Sequence, residues 1–340
     1  MKTNLLDIVS KKTPIWFMRQ AGRYLPEYQN IRKNKKNFMD LCFTPRLASE
    51  ISLQPIKRFD LDFIILFSDI LVIPHILGQK VTFKENIGPI LQPIENISKL
   101  TNVKPNNWIN DLSPIFETID LIKSKSEKKV IGFCGSPFTV LTYMLEGGSS
   151  KDHKKTKLNL INNSVQINQI IELLVEISSL YLINQIKAGA EVVKLFDSWA
   201  GILDQYYYEK YVIEPNKKII KKVKKVYPEV PVIVFPKGSG EKIEGFLTKV
   251  PCDIISLDKD VSNEVLLICK KKKIIVQGNL DPIRLLAGGD QLEKKTIEIM
   301  KKFNKNDHIF NLSHGIYPDT PIQNVEQTIK TVRNYEKFTR

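Results

Sequence analysis

The sequence predicts one α/β domain, a (β/α)8 TIM barrel carrying extra N-terminal and loop elements. Two observations predict it. Eight short runs rich in Ile, Val and Phe recur along the 340 residues, each ending at polar, Gly or Pro residues. Helix-period segments follow most of them. Near-continuous apolar strands alternating with amphipathic helices belong to a parallel sheet covered on both faces. Eight such units in one chain favour a barrel over an open doubly wound sheet. No internal repeat, low-complexity linker or domain boundary interrupts the pattern, so residues 1–340 read as one domain.

In chain order the runs are 14–18, 61–67, 130–135, 191–196, 232–236, 253–257, 273–278 and 308–312. The first is the least strand-like. Residues 80–91 read as a hairpin excursion after the second run. Helical periodicity is clearest over 158–188, 206–226, 262–269, 291–303 and 322–338.

Composition narrows the class. With 42% hydrophobic and 26% charged residues the chain is ordinary globular material, not a disordered or collagen-like one. The most apolar stretch, 61–78, contains Asp62, Asp69 and His75, so no membrane span is expected. The N-terminus has no apolar core of signal-peptide length, so a soluble protein of the cytoplasm is expected. Cys42, Cys134, Cys252 and Cys269 form no C-x-x-C pair, so neither a zinc ribbon nor a disulfide frame is indicated. The net charge of +14 rests on 43 lysines, whose runs, such as 221–225 and 270–273, read as solvated helix faces. No nucleic-acid-binding motif accompanies them, so no nucleic-acid partner is expected. Five of the eight arginines (Arg19, Arg23, Arg32, Arg46 and Arg58) fall in the first 60 residues. Planar guanidinium forks in a chain that otherwise uses Lys suit carboxylate or phosphate recognition.

A barrel places its chemistry just after the strands. Those positions hold Arg19 and Arg23, Asp69, Ser136 to Tyr143, Asp197 and Ser198, Lys237, Asp258, Asn279 and Asp281, and His314. Ser, Asp and Asn there would also serve as plain helix caps. Arg19 and Arg23 flank the small Ala21-Gly22 turn, where they either aim at neighbouring carboxylates or bridge surface acids. Asp69 follows an apolar strand, either as a cap or as a carboxylate held for an N–H-rich or cationic ligand. Gly147-Gly148 permits close backbone approach, but no P-loop Lys-Ser/Thr follows. Lys194 raises a Schiff-base alternative. Strand alternation sets it opposite Leu195 and Asp197, so only one of the two sets points inward, and a structural role suits Lys194 best. No H-x-C or H-E-x-x-H pattern surrounds any histidine, so no metal site is expected.

Taken together, PIWFMRQAGRYLPEY and GFCGSPFTVLTYMLEGGSS resemble the two signature segments of the uroporphyrinogen decarboxylase family. LDFIILFSDIL, LFDSWAG, FPKGSG, QGNLDP and NLSHGIYPDTP extend the resemblance in order over essentially the whole chain. Ser313 stands where the family usually has Gly, and Phe138 where an indole is common.

The resemblance implies a cofactor-free homodimeric barrel, a carboxy-lyase of haem and porphyrin biosynthesis. It would convert the four acetates of uroporphyrinogen III to methyl groups, giving coproporphyrinogen III. It also implies roles: Asp69 for the four pyrrole N–H groups, and Arg19 and Arg23 for carboxylates. Tyr143, Ser198 and His314 would contact further carboxylates or the rim, and Ile65 and Phe196 would pack against the macrocycle. Asp69, Arg19 and Tyr143 are the expected catalytic groups. The rival readings are a zinc-thiolate methyltransferase of the same superfamily, a phosphosugar barrel using Gly147-Gly148 or Gly238-Ser239-Gly240, and a tetrapyrrole-binding protein without turnover.

Overall fold

The computed structural model describes residues 9, 12–33, 37–84, 87–92, 108–303 and 307–338. Seven strands form one parallel sheet: β1 (Phe63–Ile65), β4 (Lys129–Gly135), β5 (Val192–Asp197), β6 (Val232–Pro236), β7 (Ile254–Ser256), β8 (Ile275–Leu280) and β9 (His308–Leu312), paired in that order. The expected hairpin is present as β2 (Val81–Lys84) and β3 (Gly88–Leu91). Each sheet strand coincides with one of the apolar runs. Both faces of these strands are covered, which is why they read as continuous rather than alternating.

The first run, 14–18, does not become a strand. It makes one parallel bridge, Ile15 to Phe310, with Phe310 N–H donating to the Pro14 carbonyl at 2.8 Å. On its other side Asp62 N–H donates to the Ile15 carbonyl at 2.9 Å. Pro14 has no N–H to donate, and a tight turn from Phe17 to Gln20 ends the segment. The seven-stranded sheet is nonetheless strongly curled. Trp16, beside β9, lies with its ring centroid 5.0 Å from Nζ of Lys194 on β5. Strands four places apart in a flat sheet would be separated by about 19 Å.

Parallel register fixes which side chains face the concave interior. Lys194 pairs with Phe133 and Ile233, and Phe196 with Gly135 and Phe235. The interior therefore holds a buried lysine, Nζ 2.9 Å from Ser256 Oγ, surrounded by the faces of Trp16, Phe196 and Phe235. Gln277 donates to the same hydroxyl and accepts from Trp16 Nε1 at 3.1 Å. Alternation turns Asp197 the other way, toward the helices.

The helical layer departs from the predicted bounds at two places. Residues 158–188 are two helices, Lys154–Asn162 and Ser164–Lys187, split at Asn163. Residues 206–226 contain a π-helical turn, Glu209–Ile213, before the helix Glu214–Val226. Pro215 lacks the N–H that an α-helical ladder would need there. Short helices at Pro26–Lys33, Phe38–Cys42 and Pro45–Arg58 supply the extra N-terminal elements. Many lysines pair with helix-borne acids, as in Lys217–Glu214, Lys218–Glu172 and Lys222–Glu176, in keeping with solvated faces.

Candidate active site

The N-terminal loop is stitched to the carboxyl ends of the strands. Buried Gln20 accepts from Phe17 N–H at 3.1 Å and donates to the Phe63 carbonyl at 3.0 Å, tying the loop to β1. Asn311 on β9 accepts from Met18 N–H at 3.1 Å, and Ile316 N–H donates to the Met18 carbonyl at 3.0 Å. Between these anchors Arg19 adopts φ +61°, a left-handed conformation unusual for a residue with a side chain. Its side chain runs over Gly315, where an added Cβ would sit 2.3 Å from Arg19 Cδ. Arg23 is exposed, as Arg19 is; its charge acts on Tyr28, and it joins no ion pair among the described residues.

Asp69 follows β1 and answers both readings of its position. One carboxylate oxygen accepts from Leu71 N–H at 2.8 Å, which is the capping role. The other has no hydrogen-bond partner among the described residues. Burial pushes its pKa up to about 6, against the opposing pull of the Leu71 hydrogen bond and the Arg19 charge. This is a carboxylate that is ionised at neutral pH yet poorly solvated, and such a group binds cations and N–H donors strongly.

Tyr143 projects from the helix Pro137–Glu146, half-buried, with its ring 5.9 Å from that of Trp199. Burial and the Asp69 charge raise its pKa, while Trp199, Arg19 and Ser149 oppose the rise. Gly135 allows the helix to sit this close, since a Cβ there would lie 2.7 Å from Val140.

At the end of β5, Asp197 is fully buried and faces the helices. It accepts from Thr139 Oγ1 at 2.6 Å and from Asn216 Nδ2 at 3.0 Å. Thr139 Oγ1 accepts in turn from Trp199 N–H at 3.1 Å, and Asn216 accepts from Ser136 at 2.8 Å. Asp197 braces the turn that carries Ser198 and Trp199. Burial raises its pKa to about 6. Ser198 is half-buried beside it. Phe196 points inward, edge-on to Phe133 at 5.4 Å and to Phe235 at 6.3 Å. Ile65 pairs with Ile131 and lies on the same inner face.

His314 follows β9 in a loop held by the Ser313 N–H bond to the Leu280 carbonyl at 2.8 Å. Its pKa falls to about 3, first through burial and then through the charges of Arg19, Lys237 and Lys194. The imidazole is therefore neutral at pH 7 and offers a hydrogen bond rather than a charge.

One electrostatic neighbourhood emerges. The charge of Arg19 acts on Asp69, Tyr143, His314 and Lys237. Ile65 and Phe196 floor it, Ser198 lies at its β5 side, and Arg23 stands apart. Sequence reasoning passed over Gln20, Asn311 and Asn216. All are buried amides, and their only sequence signal is a polar residue at an otherwise apolar or strand-end position.

The glycine alternatives have packing explanations. The Gly147 carbonyl accepts from Leu91 N–H at 2.9 Å, and Gly148 bridges Ile90, so the hairpin docks on this pair. Gly238 and Gly201 touch backbone to backbone. All four cysteines are buried free thiols with raised pKa values. Among the described residues no group of three or more His, Cys, Asp or Glu converges as metal ligands, and no helix is long and apolar enough to cross a membrane.

Residues 7–335 match the family model described as uroporphyrinogen decarboxylase (URO-D). The chain is 47% identical over 330 residues to uroporphyrinogen decarboxylase of Rickettsia rickettsii (strain Sheila Smith), covering 96% of this chain and 94% of that protein. It is 46% identical over 332 residues to the Rickettsia conorii (strain ATCC VR-613 / Malish 7) protein of the same name, covering 96% and 95%. Among solved structures, a methyltransferase from Methanosarcina mazei superposes with a TM-score of 0.80 at 16% identity, over 98% of both chains. That likeness speaks to the fold alone.

Proposed function

Because the chain belongs to the uroporphyrinogen decarboxylase family, we propose that the neighbourhood around Asp69 and Arg19 is where it decarboxylates uroporphyrinogen III. The protein is a carboxy-lyase of haem biosynthesis. In net terms each of four acetates exchanges carbon dioxide for a proton and becomes a methyl, giving coproporphyrinogen III. The observation that carries the placement is the half-free, poorly solvated Asp69 carboxylate at the centre of a cationic mouth.

An acetate on a neutral pyrrole has nowhere to put the electrons of its breaking C–C bond. Protonation of the ring at carbon creates a cation that receives them. Carbon dioxide then leaves, and a second proton reaches the exocyclic carbon as the ring loses the first. The ring itself supplies the electron sink. In this reading the free oxygen of Asp69 accepts from the pyrrole N–H groups and opposes the ring cation. A unit charge pair at about 4 Å and effective dielectric near 20 interacts by roughly 4 kcal/mol, a thousandfold in rate if confined to the transition state.

Arg19, held at positive φ, is placed with Tyr143 nearest the proton transfers. Arginine is a poor acid in isolation, so a clamp-and-field role suits it best. Gripping the departing carboxylate tightly would slow the reaction. Arg23, Ser198 and neutral His314 then hold carboxylates that are not reacting, and Ile65 and Phe196 carry the macrocycle face. The Ile15–Phe310 bridge supports reading 14–18 as a vestigial eighth strand that completes a single barrel domain over 1–340. A homodimer and a cytoplasmic location follow the family expectation.

The test is anaerobic incubation of the purified protein with uroporphyrinogen III, with and without chelator, followed by oxidation and chromatographic counting of carboxylates. Conversion from eight to four, unaffected by chelator, is expected. Tight binding without conversion would make the protein a tetrapyrrole carrier.

A further inference from the structure

One cation in the mouth has no part in the scheme above. Lys237 directly follows β6, half-buried, and among the described residues it makes no ion pair. Its nearest carboxylate neighbour is Asp258, whose Oδ2 is already engaged by Gly238 N–H at 2.8 Å. Its charge reaches Arg19 and His314, so it shares their space. Lys237 and Arg19 repel one another, and the Asp258 charge offsets only the Lys237 side of that repulsion; a polyanion bound between the two cations removes it.

The backbone beneath Lys237 is fixed on every side. Its N–H donates to the Asp197 carbonyl at 3.1 Å, and its carbonyl accepts from Gly201 N–H at 2.9 Å. Gly201 presses so closely on the next residue that a Cβ there would sit 2.3 Å from the Gly238 carbonyl oxygen. Ser239 Oγ donates to the Pro236 carbonyl at 2.6 Å and lies 2.6 Å from the Tyr208 hydroxyl. A loop so tied offers its ammonium from a set position, which lowers the ordering cost of binding.

We propose that Lys237 is a further substrate-binding residue, gripping a peripheral carboxylate of the porphyrinogen on the β5–β6 side of the mouth. The assignment rests on the decarboxylase reading of this site. It divides the work: Lys237 carries the standing charge on that side, and His314 beside it remains a neutral hydrogen-bond partner.

The test uses the full chain and two readouts. Stable, oxidised uroporphyrin III is titrated for binding, and uroporphyrinogen III for turnover, with wild type, Lys237→Met and Lys237→Arg. Loss of one partly screened charged contact predicts about tenfold weaker binding and a similarly raised KM for Lys237→Met, with kcat within about threefold. Lys237→Arg is expected to recover most of the loss. By NMR, His314 in Lys237→Met should titrate closer to its ordinary value, a change that a purely structural lysine facing elsewhere would not produce. Should the Met variant fail to fold by circular dichroism, Lys237→Gln takes its place. Unchanged uroporphyrin affinity and KM in a folded neutral variant would overturn the proposal. Wild type that binds but does not turn over would overturn the decarboxylase reading instead, with the Lys237 contact still read from binding.

Discussion

Asp69 is the residue at which function and stability pull apart. Its folded pKa near 6 lies above the ordinary carboxyl value of 3.8, so the native state holds a proton that the unfolded chain releases between those two values. Asp69 therefore favours folding most below about pH 4, and that contribution is lost as pH rises to 6. Asp69→Asn keeps the acceptor for Leu71 N–H and removes the buried charge. It should abolish turnover by about a thousandfold or more while gaining up to about 3 kcal/mol of stability at pH 7. Thermal melts would show the gain vanishing near pH 4 and reaching a plateau above pH 6; a pH-independent difference would show that desolvation of the carboxylate is not its source. The charge of Arg19 acts on Asp69, Tyr143 and His314 and that of Arg23 on Tyr28, so the two arginines should fail differently. Arg23→Lys is expected to raise KM several-fold with little change in kcat, and steady-state kinetics with uroporphyrinogen III decides this. A large fall in kcat at constant KM would instead place Arg23 beside the reacting acetate.

At the scale of elements, the site depends on how closely neighbouring strand ends approach one another. The β5 turn and the β6 loop meet at Gly201 and Gly238, backbone against backbone. Gly201→Ala has no flexible side chain to displace and must push the Lys237–Gly238 segment away. It should destabilise by about 2–4 kcal/mol and raise KM through the displaced loop. Chemical denaturation with parallel kinetics measures both effects. The interior of the sheet shows the same economy of space. Lys194, Ser256, Gln277 and Trp16 join three strands and the N-terminal segment in one buried polar chain. Desolvation holds the Lys194 amine well below its ordinary pKa, and beneath the Phe196 face it has no open path to a carbonyl ligand. The complete burial of Lys194, and not its lowered pKa, counts against the Schiff-base use that its sequence position first raised.

The whole molecule carries +14 formal charge, and the substrate carries eight carboxylates. Long-range attraction between them should speed encounter, and salt should screen it over a Debye length of about 10 Å at 0.1 M. kcat/KM is expected to fall several-fold between about 10 and 150 mM salt, with kcat nearly constant. A flat response would reduce the lysine-rich faces to solubility alone. The pairing of many of these lysines with acids on adjacent helices limits the effect. The unpaired cations at the mouth are therefore expected to dominate it.

The strand runs, the hairpin, the N-terminal arginine loop and the acids at strand ends were all legible in the sequence. Each is a local pattern: side-chain period, punctuation by Gly and Pro, and a polar residue after an apolar run. Alternation also showed that Lys194 and Asp197 face opposite ways, but not which of them faces inward. Tertiary structure decided that, and it decided that the charge of Arg19 acts on Asp69 and His314 while that of Arg23 acts on Tyr28. It reduced the 14–18 run to a single bridge, left one oxygen of the poorly solvated Asp69 without a partner and His314 neutral, and brought Lys237 beside them. These outcomes depend on burial and on charges far apart in the chain. Arg19, Asp69, Tyr143, Lys237 and His314 become neighbours only when the sheet curls, and no window of sequence contains that closure.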